Sequence, residues 1–389
     1  MALPKDNSTP NRTFCMAEPA SPPALETVGA NPTRLWGLSM TERNHRIGAG
    51  SGLGGTGAPV VLANAGIAAD PAWLGHVAAQ PGLVLTLGGV PAIAHARDEH
   101  EAALLREAMR EGTQPAEAQR FVFEPYEDGA TIENRALRKR ERPFLLALRP
   151  DTVRAAERAS YFGAYKGVTD LLTKYLWPEW ALWLTRLAAW LGVSPNMVTA
   201  IGTVLCVAAT VAFAFGQYGI GLGLGLVFMV LDTVDGKLAR CTITSSRLGN
   251  VFDHGLDLVH PPFWWWFWAT GLAHVGLALS DALFWWVEGA IFAGYVVQRV
   301  IEGAFIAWFG GIHIHVWERF DSRFRLFTAR RNPNMVILFV AVLFARPDIG
   351  IVAVAVWTVV SCFVHVVRLG QALARKRKGE PVRSWLAEA

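Results

Sequence analysis

LDTVDGKLARCTITSSRLGNVFDHGLD, residues 231–257, places four carboxylates in a half-chain that is otherwise apolar. Asp232 and Asp235 are three residues apart and Asp253 and Asp257 four apart, spacings that put each pair on one face of a helix. Two neighbouring helices can then point four acids into one cavity. Insertion scales put an acid at membrane depth at roughly 2.5–3.5 kcal/mol, and unpaired acids on facing helices also repel one another, so a cation must hold them. Hard divalent ions, Mg²⁺ or Mn²⁺, are the simplest answer, and two ions bridged by carboxylates suit transfer at a phosphate. Gly236 lets a bulky diphosphate approach the helix backbone, Ala239 keeps the same face open, Arg240 supplies a planar donor fork, and Gly249 allows close packing.

Outward from this stretch the chain reads as a membrane protein. It has 389 residues, 52% hydrophobic and only 17% charged, with a mean hydropathy of +0.28. The apolar residues gather after about position 175, in six segments near 197–215, 219–238, 254–273, 282–306, 334–346 and 349–369. The fifth is short for a span of about 20 residues and must borrow flanking positions such as 332–334. The basic runs RALRKRER (135–142) and RKRK (375–378) flank this region. Six crossings would bring both to the cytoplasmic side, as the positive-inside tendency requires, and there they also meet anionic lipid. This reading takes the net charge of +4 as membrane topology and not as nucleic-acid binding. Many of the 16 tryptophans sit in runs such as FWWWFW (263–268), suited to packing and aromatic belts. Cys15, Cys206, Cys241 and Cys362 are scattered without metal-ligand spacing.

The front half is more polar. Residues 1–30 have the composition of a flexible tail without a secretory signal. GAGSGLGGTG (48–57) contains a formal G-x-G-x-x-G, but a strand-like APVVLANA follows it where a dinucleotide fingerprint needs a helix, so it reads as a glycine loop. From Val60 onward strand, helix, two strands and helix alternate, predicting a small cytoplasmic α/β domain over 31–148. Residues 149–195 predict a linker and an amphipathic interfacial helix, with Trp180, Leu184, Leu187 and Leu191 at helical spacing. The expected fold class is thus mainly α and polytopic: an N-terminal α/β domain, an interfacial helix, six transmembrane helices over 196–372, and a basic cytoplasmic tail over 373–389.

The complete spacing D-x2-D-G-x2-A-R-x8-G-x3-D-x3-D, from Asp232 to Asp257, resembles the signature of the CDP-alcohol phosphotransferases, membrane enzymes of six helices that make phospholipids and related phosphodiesters. The resemblance implies that Asp232, Asp235, Asp253 and Asp257 bind metal and that Asp257 also accepts the proton. It implies donor contacts at Asp232, Gly236, Arg240 and Ser246, and through SPNMVT (194–199) at Asn196 and Thr199. The implied partners are a CDP-alcohol lipid donor such as CDP-diacylglycerol, an alcohol acceptor and membrane lipids, in a homodimer; the implied location is a bacterial inner membrane with the site facing the cytoplasm. The run at 60–96 resembles part of a sugar-nucleotidyltransferase domain, in which an acidic metal ligand is expected where this chain has Ala65 and Gly66, so a degenerate, non-catalytic unit is implied.

The acceptor half is less constrained. Lys166, Arg299, Arg330 and Arg331 fall on the cytoplasmic side and could bind the phosphate of a phosphorylated polyol such as inositol phosphate or glycerol phosphate. His313 and His315 lie in the same region, and the hard carboxylate site makes a metal role for them unnecessary. Two other classes compete: an ion- or proton-coupled transporter, which leaves Gly236, Ala239 and Arg240 unexplained, and an inactive membrane binding protein, which leaves four retained acids unexplained.

Overall fold

The structure, a computed structural model, describes residues 23–387 except Ser246; of residues 247, 248 and 250–254 only the helical backbone is described. Along the chain come β1 (Ala24–Val28), α1 (Met40–Ser51), β2 (Val60–Asn64), β3 (Ile67–Ala69), α2 (Pro71–Ala78), β4 (Leu83–Leu87), β5 (Val90–Ala96) and α3 (Glu99–Glu111). There follow β6 (Val122–Pro125), β7 (Ile132–Asn134), β8 (Lys139–Glu141), β9 (Leu145–Ala147), α4 (Val153–Gly163) and α5 (Pro178–Trp190). The rest is helical: α6 (Pro195–Ala214), α7 (Tyr218–Cys241), α8 (Arg247–Gly271), α9 (Asp281–Trp308), α10 (Arg319–Phe324), α11 (Arg331–Leu343) and α12 (Pro347–Arg377).

The N-terminal domain is built on a mixed five-stranded sheet in the order β1-β2-β5-β4-β6, with β1 parallel to β2, β6 parallel to β4, and the hairpin β4–β5 antiparallel at its centre. Trp73, Leu74 and Val77 of α2 pack on one face of the sheet, and Leu105 and Met109 of α3 on the other. This is a three-layer α/β arrangement. The caps match the sequence: Asp70 and Asp98 accept from backbone N–H groups of the first turns of α2 and α3, and Gly112 ends α3 in the left-handed region at φ 69°. Two details differ from the sequence expectation. The sheet begins at Ala24, inside the stretch whose composition suggests a tail. The glycine run starts as the last turn of α1, which is capped by Gly52, so a helix precedes the loop and a strand follows it, the reverse of a dinucleotide site.

Among the described residues four helices, α6, α7, α9 and α12, are long and apolar enough to cross a membrane. With α8 and α11 they form one bundle, and the chain is an integral membrane protein. At about 1.5 Å per residue the 13-residue α11 reaches only about 20 Å. Of FWWWFW, Trp264, Trp265 and Trp268 are fully buried while Phe263 and Trp266 remain partly exposed. The buried indoles find acceptors: Trp264 Nε1 donates to Cys206 O at 3.2 Å and Trp268 Nε1 to Pro347 O at 3.0 Å. In α8 Pro262 cannot donate to Leu258 O, and the Tyr295 hydroxyl of α9 donates to that carbonyl instead at 2.9 Å. In α5 the buried face is Ala181, Leu182, Thr185 and Ala188, whereas Trp180, Trp183 and Trp190 are exposed. Of the expected stripe, Trp180 and Leu191 are exposed, while Leu184 packs against the core.

The N-terminal domain is docked on the end of α7. The Arg43 guanidinium, 1% exposed, donates to Cys241 O at 3.0 Å, and Arg46 donates to Thr242 O at 3.0 Å. Two cations therefore satisfy carbonyls at a helix C-terminus, where the dipole favours positive charge. Ile243, at φ 51°, then turns into the core of the domain. The C-terminal residues depart from the expected tail. RKRK is the end of α12, and the chain folds back so that Trp385 N donates to Trp317 O at 3.1 Å and Ser384 Oγ to Val316 O at 2.7 Å. Arg43→Met removes a buried charged hydrogen bond, a loss of about 1.5–3 kcal/mol. Its melting temperature in detergent is expected to fall by several degrees, while Arg34→Met, where an exposed guanidinium on Gly37 O is lost, leaves it unchanged.

Candidate functional site

Where α7, α8, α9 and α11 end near the N-terminal domain, they enclose a cavity of about 760 Å³. Its described lining carries nine Lys and Arg side chains against four Asp and Glu, so it attracts anions.

Asp232 of α7 and Asp257 of α8 converge on one cation. Arg331, the first residue of α11, donates through Nη2 to Asp232 Oδ2 at 2.6 Å and through Nη1 to Asp257 Oδ1 at 2.7 Å, with its guanidinium 5.0 Å from the Phe228 ring centre. The Arg331 side chain is 11% exposed and that of Asp257 47%, so the bridge faces the cavity from its Asp257 side. Asp235, three residues on along α7, is not among the described residues that line the cavity. It is buried and accepts from Thr199 Oγ1 at 2.6 Å. Ser194 and Pro195 explain that contact: Ser194 caps α6, Pro195 occupies its first turn, and Thr199 follows one turn on.

The expected site residues divide accordingly. Asp232, Gly236, Arg240 and Asp257 line the cavity together with Lys166, Arg299, Arg330 and Arg331. Arg331, expected at the acceptor, is instead committed to the two aspartates. Asn196 and Thr199 do not line the cavity: Asn196 is exposed at the start of α6, and the Thr199 hydroxyl is spent on Asp235. Ser246 and the side chain of Asp253 lie outside the described residues. A Cβ at Gly236 would come within 3.1 Å of Arg240 Nη2, so glycine lets that guanidinium lie against the helix.

Lys237 was not foreseen from the sequence, and the partners of Asp170, Glu302, His313 and His315 emerge only in the fold. Lys237 is a largely buried part of the cavity wall, its Nζ donating to Ala164 O at 2.9 Å and lying 3.1 Å from the Tyr165 ring centre. Asp170 accepts from Thr173 N and Asn332 Nδ2, both at 3.0 Å, and so ties the linker to α11. Glu302 accepts from Arg330 and lies 3.2 Å from both Arg299 and His315. Glu302, His313 and His315 could share an ion, their ligand atoms lying within 4.8 Å of one another. The Arg330 guanidinium, bonded to the same carboxylate and 3.3 Å from His315 Nε2, opposes a cation there. Burial and the neighbouring Arg138 push His313 down to about 3, and burial with repulsion from Arg330 lowers Arg138 to about 10 and Arg325 to about 9. At neutral pH the histidine is therefore uncharged and the arginines remain cationic.

Divalent ions fit the aspartate cluster better. Asp232 and Asp257 already converge on a single centre of positive charge from two helices, and all donors there are hard oxygens.

Residues 192–360 match the family model described as CDP-alcohol phosphatidyltransferase. A cholinephosphotransferase 1 from Gallus gallus is 36% identical over 128 residues, 30% of this chain and 36% of that protein. An archaetidylinositol phosphate synthase from Pyrococcus horikoshii is 28% identical over 192 residues, 49% of this chain and 88% of that protein. Three choline- or ethanolamine-phosphotransferase relatives are spanned over only 24%, 34% and 36% of their lengths. Among solved structures, the phosphatidylinositol phosphate synthase of Mycobacterium tuberculosis with CDP-DAG bound aligns at a TM-score of 0.38 and 19% identity, covering 48% of this chain and 91% of that one.

Arg331→Ala leaves Asp232 and Asp257 facing each other without their shared counter-ion. The variant is expected to melt lower than the parent in chelator and to gain more from added Mg²⁺; equal gains in the two proteins contradict a shared cation position.

Proposed function

We propose that this chain is a metal-dependent CDP-alcohol phosphotransferase of a cell membrane, with six transmembrane helices and its site on the cytoplasmic face of a bacterial inner membrane. The observation that carries this reading is the convergence of Asp232 and Asp257, from separate helices, on one cation at an electropositive cavity whose wall also holds Gly236 and Arg240. The family match over 192–360 supports the same chemistry.

Asp232, Asp235, Asp253 and Asp257 would hold two Mg²⁺ or Mn²⁺ ions, which when bound offset the charge of the donor diphosphate and of the departing CMP. Arg240 adds a planar fork for phosphate oxygens beside the open backbone of Gly236. Thr199 orients Asp235 through its hydrogen bond and is a positioning residue, not part of a cytidine pocket. Asp257, the more exposed acid of the bridged pair, takes the proton of the acceptor hydroxyl. The acceptor oxygen bonds to the phosphorus that carries the donor's alcohol, the bond from that phosphorus to the CMP oxygen breaks, and CMP leaves with the electron pair.

A CDP-linked lipid such as CDP-diacylglycerol suits a site at the end of apolar helices. A phosphorylated polyol suits Lys166, Arg299 and Arg330, and the Pyrococcus relative, named for an inositol phosphate product, favours the same class. The N-terminal domain has Ala65 buried and Gly66 in a turn with its N–H on Asn64 Oδ1 at 2.8 Å, which supports a domain without nucleotidyltransferase activity of its own.

Asp257→Asn keeps the shape and removes the base. It is expected to lower the transfer rate at least about a thousandfold while CDP-diacylglycerol binding stays within a few-fold. Full activity in this variant overturns the assignment of the base.

A further inference from the structure

The four-residue turn between β7 and β8 carries the N-terminal domain into the cavity, where Arg135, Ala136 and Arg138 form part of the lining. Three contacts fix that turn. Gly167 N donates to Leu137 O at 2.8 Å, Lys139 Nζ donates to Gly163 O at 2.5 Å, and Arg140 Nη1 reaches Ala387 O at 3.2 Å. A Cβ on Gly167 would stand 2.6 Å from Lys139 Cβ and 2.7 Å from Arg138 O, so linker and hairpin touch backbone to backbone. Arg138 itself sits at φ 51°. Glycine or asparagine would hold that left-handed position at less cost, so the turn spends backbone strain on an arginine side chain.

The side chain enters a group with an excess of positive charge. Arg138, Arg299, Arg325 and Arg330 face the carboxylates of Glu302 and Asp170, and the nearby His313 is neutral. Donors remain unused among the described residues: Arg325, buried at 7% exposure, has no acceptor for Nε or Nη1, and Arg299 and Arg330 have none for Nε. A buried guanidinium without acceptors is costly unless an anion supplies them. A bound divalent metal makes this worse, and a phosphate dianion satisfies both the charge and the free donors.

We propose that the N-terminal domain is a working part of the acceptor site: its β7–β8 turn delivers Arg138 to complete, with Arg325, Arg330 and Arg299, a cradle for the phosphomonoester of a water-soluble acceptor. This rests on the transferase reading for the word acceptor, and on the cavity alone for the anion. Arg138 acts as a specificity residue. It selects acceptors that carry a phosphate and takes no part in the proton transfer at Asp257.

The test uses the full-length protein in detergent with inorganic phosphate as the probe. Phosphate is expected to raise the melting temperature of the parent, Arg138→Ala to weaken that effect at least about tenfold in apparent affinity, and Arg138→Lys to restore part of it. CDP-diacylglycerol binding is expected to match the parent in both variants, which separates a lost contact from a misfolded domain. In turnover, Arg138→Ala is expected to raise KM for a phosphorylated acceptor with kcat little changed. Equal phosphate response in parent and Arg138→Ala, or none in the parent up to about 10 mM, overturns the proposal. An Arg138-dependent response to phosphatidate in nanodiscs with none to inorganic phosphate also overturns it, since the anion would then be a lipid headgroup. Phosphate binding that depends on Arg138 in a protein that never releases CMP would sink the transferase reading and leave the anion site standing.

Discussion

The structure depends on how carboxylates from two helices are kept together at the end of a membrane bundle. Asp232 and Asp257 share the two terminal nitrogens of Arg331, and that single guanidinium ties α7, α8 and α11 to one another. Removing the cation leaves like charges opposed and partly desolvated; supplying it makes a site. α11 begins at this bridge, and Asn332 next to it is held by Asp170 of the linker. The arrangement also suits exchange. A cation that joins carboxylates by charge and hydrogen bonds, without burying the Asp257 side, can make way for ions that do the same with greater charge density.

The second constraint comes from the domain ahead of the membrane. Arg43 and Arg46 close the C-terminal carbonyls of α7, the helix that bears Asp232, Asp235, Gly236 and Arg240. The linker, the β7–β8 hairpin and the folded-back C-terminus then interlock around the mouth of the cavity. A domain fastened in this way sets the shape of the cavity even where it brings no chemistry of its own. The nine basic side chains of the lining come from both parts of the chain, so the electropositive field at the site is a joint property.

Much of this was legible in the sequence, for physical reasons that differ from place to place. Apolar runs of membrane length and acids at helical spacing are local signals, and α6, α7, α9 and α12 lie close to where they were expected. The strands from Val60 to Ala96 and the helix after them followed from alternation and capping residues. What was not legible depends on partners distant in the chain. β1 passes for a tail because it is short and sits at one end of the sheet, paired with β2 among the described residues. Arg331 stands 99 positions from Asp232 and 74 from Asp257, and no local rule distinguishes it from Arg330, which turns to Glu302 instead. The partner of Thr199 was hidden for the same reason. Its spacing marks the start of α6, whereas its hydroxyl is committed across the bundle to Asp235.

The central claim is phosphoalcohol transfer from a CDP-alcohol at the Asp232–Asp257 centre. The most direct measurement is incubation of the purified protein with Mg²⁺, CDP-diacylglycerol and a panel of free and phosphorylated polyols, with mass detection of both products. The account predicts one new phosphodiester, formed in equal amount with CMP and only in the presence of the divalent ion. CMP without a phosphodiester, or neither product with any acceptor, would contradict it.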